Sequence, residues 1–557
     1  MKKISNYKIV SLILLLLILS YSCTKLDETL YSNIKASSYY ENQNEILAAV
    51  LRPYTHANAW ATSTDARSWW KVSELSADQL AWPRKGVDGE DGGIWRRLHY
   101  HTWTSNDDIS RTPWTLMWDG IGYCNVGIEF IEAKSAAEIG ITEEEKASYV
   151  AELKIERDFY YIRTMDLYGN IPYVTSTSVK NPETLKSSVV FDSIENDIKA
   201  NIANMPLLSS SNYGRLTKAG AYAMLVELYL NAEVWSGTPR WQDCINACDS
   251  ILIGNVGGVT GSSISLDSSV TETFETTNKT SQEQIFSIAY NYQTANWSPG
   301  WPDNFYHFNQ KIVYGGNRNG NNGIVLIPGV FSTYDNADRR KKEWFWVGQL
   351  YGYDAKTNTP NADSTKPLLG YREYANQPIA FVDAIKRFST LGKNPSSSDS
   401  LGLPSNMTTG EENSGVRFNK YRIGASTDVN YNSTDWIIYR LTQIYYAKAE
   451  ALMRLHGNTP TQEAVDLINA CRKRDFDASV WNDKMFTLTN FNMDTLLAER
   501  GREFIFEGYR RQDLIRFGKF ATGSWWDHTP TNATKELFPI PIEQLGLNPS
   551  LVQNPGY

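Results

Sequence analysis

Five cysteines in 557 residues are too few for a disulfide framework, and only Cys244 and Cys248 stand close together, four apart in an expected helix. They read as small buried residues. Histidine is scarce as well, with six in the chain. His99 and His101 form an HxH, but neither an HExxH nor a CxxC pair supports a zinc site. P-loop, dinucleotide and nucleophile-elbow signatures are missing in any usable context, so no metal or cofactor is implied. A basic excess is missing too. Lys and Arg total 54 against 62 Asp and Glu, and the formal charge of −8 suits neither nucleic acid nor an anionic lipid surface. Long hydrophobic runs are limited to residues 9–19, broken only by Ser11. That is short of the roughly 20 apolar residues a membrane-spanning helix needs.

The short run has a different meaning. Lys2, Lys3 and Lys8 give it a basic start, and small residues follow it, which is the layout of a signal peptide over residues 1–22. Cleavage after Ser22 would put Cys23 first in the mature chain. The stretch LSYSC resembles a bacterial lipobox, in which that thiol takes a diacylglycerol; Ser20 stands where an aliphatic residue is usual. Lys25, Asp27 and Glu28 look like the acidic export signal of surface lipoproteins. Cys23 is therefore expected to be a lipid attachment site, with plain secretion as the alternative. Several acyl chains anchor durably, since each buried CH₂ contributes about 0.8 kcal/mol. Losing residues 1–22 removes three lysines and no acid, making the mature chain more acidic than −8.

Helical periodicity dominates the rest. Ile155, Phe159 and Ile162 share a face of one helix that should stop at Gly169, with Pro172 just beyond. Ala221, Leu225, Leu228 and Ala232 line another, with Thr217 as a plausible N-cap. The stretch WIIYRLTQIYYAKAEALMR repeats the pattern through Leu441, Tyr445, Ala449 and Leu452, and further helices are expected from Thr461 to about Arg474 and between Asp494 and Phe517. Small residues at close-packing positions make these helices look like tetratricopeptide pairs, without an intact consensus. Residues 254–283 and 392–416, rich in Gly, Ser, Thr and Asn, read as long surface loops. Short β-like runs (QIFSIAY, EWFWVGQLY) lie within 285–350. The expected class is mainly α: a single domain over 23–557, with a helical scaffold at about 30–250 and 430–557 and a loop-rich insert at about 254–430.

Five stretches in this order resemble the SusD/RagB family of glycan-binding lipoproteins: AELKIERDFYYIRTMDLYGNIPYV, GRLTKAGAYAMLVELYLNA, YRLTQIYYAKAEA, LLAERGREFIFEGYRRQDLIRFGKF and the ending LFPIPIEQLGLNPSLVQNPGY. The resemblance implies a SusD-like fold of four tetratricopeptide-like helix pairs, capture of oligosaccharide or polysaccharide at the outer-membrane surface, and delivery to a SusC-like TonB-dependent transporter. The charged stretch from Glu499 to Arg516 has the look of acid–base machinery, but opposite charges three and four apart on packed helices are expected to be ion pairs.

A sugar offers an apolar C–H face and a rim of hydroxyls, so its site needs exposed aromatic rings beside convergent polar groups. Two stretches supply both. Residues 81–103 have the Gly and Asp content of a loop and carry Trp82, Arg84, Trp95 and Trp103. Residues 296–308 carry Trp297, Trp301, Asp303, Asn304 and Tyr306, with Arg318, Asn319 and Asn322 just beyond. The resemblance places the family's aromatic arc on these regions, with Trp82 and Arg84 at one stacking position and Trp301 and Tyr306 near a second. The third aromatic falls near Asn319–Asn322, where this chain has no Trp. The glycan-binding candidates are thus Trp82, Arg84, Trp301, Tyr306, Asn304, Asn319 and Asn322, with no catalytic residue. Trp95 and Trp103 read as loop anchors, while Trp60, Trp69, Trp70, Trp344 and Trp346 are lesser candidates. Arg84, Lys85, Arg96 and Arg97 are expected to pair with Asp88, Glu90 and Asp91 in the same loop rather than to face an acidic glycan. A secreted glycoside hydrolase would use the same aromatics with two carboxylates across a cleft. A helix-repeat adaptor without sugar binding would leave the aromatic loops unexplained.

Overall fold

The computed structural model describes residues 42–62, 67–290, 301–316, 319–387, 404–423 and 433–557. The expected signal peptide and Cys23 lie outside the described residues, as do Trp297, Arg318 and the side chain of Trp301. Helices carry most of the structure. The longest, Glu143–Tyr168, begins at a capping box in which Thr142 and Glu145 satisfy each other's backbone N–H groups. It ends where expected, at Gly169, whose φ of 66° is a conformation that glycine adopts without strain. This helix packs between Asp108–Glu132 and Ser187–Asn201, and Asp108–Glu132 packs in turn on Gln43–Ala61. Lys218–Leu230 packs on Trp241–Leu252, which leads through Leu441–Leu455 to Gln462–Arg472. Thr217 takes the N-cap position of its helix without making a capping hydrogen bond, whereas the Thr461 side chain does cap Gln462–Arg472.

One hydrophobic core runs through both helical blocks and the insert between them. All four described cysteines are buried and free within it. No helix among the described residues is long and apolar enough to cross a membrane.

Four expectations need correction. The helical reading of WIIYRLTQ began too early, because Trp436–Arg440 is a strand paired antiparallel with Gln284–Ile288 and the helix starts at Leu441. All five strand residues are buried, and a short run buried on both faces has no alternation to set it apart from a helix. Residues 81–103 are not all loop, since Ile94–His99 is a helix entered through Gly93 at φ 77°. Residues 254–283 are not a mere surface loop. Val270, Phe274 and Asn278 are buried there, and Asn278 Nδ2 donates to the carbonyls of Thr273 (3.1 Å) and Asp435 (2.9 Å). Polar side chains in that segment serve as internal partners for backbone groups, which composition does not distinguish from solvation. Of the second expected loop, 392–416, residues 392–403 lie outside the described residues, and Glu411, Glu412, Asn413 and Ser414 are buried.

The charged C-terminal stretch holds the insert to the scaffold. Fully buried Arg340 meets Asp338 (2.8 Å), Asp475 (3.1 Å), Glu499 (2.8 Å) and Glu503 (2.8 Å). Arg440 pairs with Glu283, Glu503 and Glu507 at 2.7–2.9 Å, and Arg500 with Asp513 at 2.8 Å. The expectation of ion pairs holds, though many partners are distant in sequence.

Candidate functional site

The helix Trp69–Leu75 is capped by Ser68, which accepts the Lys71 N–H, and it carries Lys71 into the interior. The next segment leaves the short strand Leu80–Ala81, paired with Val325–Leu326, and delivers Trp82 beside it. Trp82 stacks on Trp95 with ring centroids 4.7 Å apart and planes 6° from parallel. The Lys71 ammonium lies 5.4 Å from the Trp82 ring and 5.8 Å from the Trp95 ring, and donates to Asn304 Oδ1 at 3.0 Å. Trp95 Nε1 donates to Asp91 at 2.6 Å. Gly323 is needed on the other side, because a Cβ there would come within 2.6 Å of Trp82 ring carbons.

These groups line a cleft of about 640 Å³ that also includes Asp88, Phe308 and Arg372. Arg372 pairs with Asp88 (3.3 Å) and lies over the rings of Phe308 (5.3 Å) and Tyr371 (5.0 Å). Tyr371 is 53% exposed, the most open of the large aromatic residues named here. The turn that presents it is pinned from inside. Glu412, 2% exposed, accepts the backbone N–H of Tyr371 (2.6 Å) and of Arg372 (2.8 Å), and its Oε1 meets His307 Nε2 at 2.6 Å. Burial opposes charge on Glu412, but His307 and these N–H groups outweigh it and hold the carboxyl below its ordinary range. Burial lowers the His307 pKa, and the neutral ring donates to Glu412 while Nδ1 accepts the Asn309 N–H.

Of the residues expected from sequence, the structure brings Trp82, Asp303 and Asn304 to this cleft, although Trp82 and Asn304 are 8% and 5% exposed and so meet it with little surface. Arg84 is exposed and turns back to the Gly86 carbonyl (2.9 Å). Tyr306, 1% exposed, stacks on Tyr314 in the interior. Asn319 accepts the Lys311 N–H, and buried Asn322 donates to the Glu412 carbonyl at 3.0 Å. These four shape the surrounding backbone instead of lining the cleft. Trp103 is an anchor as expected, stacked on Phe538 and donating to Tyr557, but Trp95 lines the cleft as well. Trp60, Trp69, Trp70 and Trp344 are buried. Local pairing of the basic quartet holds for Arg96 with Glu90 (3.0 Å). Arg97 reaches Asp107, and buried Lys85 donates to the carbonyls of Asn322 and Gly323. Sequence reasoning missed Lys71, Phe308, Tyr371 and Arg372. Only the aromatic–arginine pair in GYREY carried a signal, and it lies far from the tryptophan-rich stretches.

His99 bonds to Asp527 and His101 to the Ser76 carbonyl. Among the described residues no group of His, Cys, Asp or Glu is arranged to hold a metal ion.

Comparison with known proteins gives a consistent result. The SusD family profile matches residues 270–557, and a second profile, described as starch-binding and associating with the outer membrane, matches residues 26–230. The chain is 24% identical to the starch-binding protein SusD of Bacteroides thetaiotaomicron over 88% of its own length and 85% of that protein's. It is also 24% identical to the SusD-like protein P38 of Formosa agariphila, covering 100% of both chains. Among solved structures, surface glycan-binding protein A of B. thetaiotaomicron, in complex with laminarihexaose, superposes with a TM-score of 0.65 at 20% identity. That match covers 92% of this chain and 99% of the other. NanU of B. fragilis superposes with a TM-score of 0.69 at 18% identity, over 94% and 99% of the two chains. The mainly helical architecture with its short paired strands is thus the SusD fold, and the chain belongs to the SusD family.

Proposed function

We propose that this protein captures a glycan at the outer-membrane surface, holds it in the cleft between the Trp82–Trp95 stack and the Tyr371–Arg372 turn, and passes it uncleaved to a SusC-like TonB-dependent transporter. The observation that carries the reading is that turn: Arg372 lines the cleft, the 53% exposed Tyr371 stands next to it in the chain, and a buried carboxylate locks both backbone N–H groups. Rings held rigid before binding reduce the ordering cost, and Arg372 and Asp88 offer partners for hydroxyls. Starch binding by SusD and the laminarihexaose complex of a structural neighbour support a carbohydrate ligand. Binding without cleavage is favoured by the relatives, which are named as binding proteins, and by the engagement of two of the three carboxylates lining the cleft, Asp88 with Arg372 and Asp91 with Trp95.

The test is calorimetry against a polysaccharide panel that includes starch and laminarin, with the products assayed for new reducing ends. Tyr371→Ala and Arg372→Ala, both at exposed positions, should each weaken binding about tenfold, or ~1.4 kcal/mol. No reducing ends should appear. Unchanged affinity in both variants would remove the site, and released sugars would favour the hydrolase.

Membrane attachment through Cys23 is part of the proposal. Cys23→Ala should move the protein from the membrane fraction to the soluble one. Retention of the variant in the membrane fraction would show that something other than a lipid at Cys23 holds it there.

A further inference from the structure

A larger cleft, of about 970 Å³, lies elsewhere on the insert and shares no lining residue with the Trp82 cleft. Its aromatic wall is Trp346, in the strand Phe345–Trp346 that pairs with Arg417–Phe418. Trp346 is half-buried and stacks on Tyr314 at 5.2 Å, and Tyr314 stacks on Tyr306 at 5.1 Å. The two tyrosines are buried, so the indole is held on a rigid base. Tyr306 was expected from sequence to touch ligand; the stack gives it a supporting place behind this second wall.

The polar groups around Trp346 suit hydroxyls. Asn358 and Asn361 line the cleft from the Tyr351–Asp354 and Thr359–Pro367 hairpin. Their carbonyl oxygens are occupied internally, by the Tyr353 hydroxyl and the Tyr351 N–H respectively. Their amide N–H₂ groups remain as donors. Arg422 is held in place by Glu343 (2.6 Å) and Glu275 (3.4 Å), and both carboxylates also line the cleft as acceptors. Lys341 and Lys342 are the other charged groups present, so the two signs nearly balance. A flat ring among paired charges and amides fits an uncharged polyol better than a polyanion.

We propose that the Trp346 cleft is a second carbohydrate subsite, taking a neutral sugar residue of a polysaccharide. The inference rests on the glycan-capture reading above and extends it. A polymer engaged at both clefts would bind by avidity, while a short oligosaccharide would gain little.

Affinity electrophoresis through gels containing starch or laminarin, whichever retards the wild-type protein, tests this. Trp346→Ala should weaken retardation about fivefold and leave short-oligosaccharide binding by calorimetry nearly unchanged. Asn358→Gly probes the same cleft without touching the stack, because glycine adopts its φ of 55° freely; it should weaken retardation about twofold. If both variants migrate like wild type while Arg372→Ala loses retardation, the second subsite is refuted and the first stands. If neither polysaccharide retards the wild-type protein, the underlying reading fails for these glycans and the inference falls with it.

Discussion

Replacing Arg340 by methionine is expected to cost roughly 3–5 kcal/mol, the typical penalty when one partner of a buried ion pair is removed. The guanidinium is fully buried and meets four carboxylates, from Asp338, Asp475, Glu499 and Glu503. Asp338 belongs to the insert and the other three to the C-terminal scaffold, so the loss would loosen the junction between them. Methionine fills much of the volume, which separates the charge effect from a cavity. Urea denaturation would show a lower midpoint, and adding Asp475→Asn should restore part of it, because Asp475 is the buried acid whose ion pair is with Arg340, whereas Glu499 keeps Arg472 and Arg502. A loss below about 1 kcal/mol would mean that Arg472 and Arg474, which already reach Glu499 and Glu503, compensate without Arg340.

The sequence showed the scaffold more clearly than the site, for physical reasons. Gly169 could be read as a helix end because only its local backbone matters, and Thr217 could be placed at an N-cap position for the same reason, although its side chain makes no capping bond. The ion pairs of residues 499–516 could be expected as a class from their spacing. Arg340 as their centre could not, since it arrives from more than 150 residues away. Trp82 was legible from its aromatic, glycine-rich setting. Whether a tyrosine faces water was not: Tyr306 and Tyr371 both have charged or polar residues close by in sequence, yet one is 1% and the other 53% exposed. What separates them is tertiary, because Tyr306 meets Tyr314 while Glu412 turns Tyr371 outward.

Acid should destabilise this fold steeply, with Glu450 a principal cause. Its carboxylate is fully buried and held by Arg516 (2.7 and 2.9 Å) and Arg454 (2.8 Å). Burial alone would raise its pKa, but the two arginines overcome that and bring it from 4.5 to about 2. A carboxyl depressed in the folded state stabilises fully above its unfolded pKa. That contribution is lost as the pH falls from about 4.5 through about 2. The separation corresponds to about 3 kcal/mol. Glu450→Gln should therefore lose about that much stability at pH 7, where both arginines are left facing an amide. Its deficit should shrink through the acid window and vanish near pH 2. Urea midpoints of the two proteins between pH 7 and 2 decide the matter: parallel curves would mean that Glu450 is not ion-paired in the folded protein. Convergence would show that this pair ties the helix Leu441–Leu455 to Arg510–Arg516 by charge.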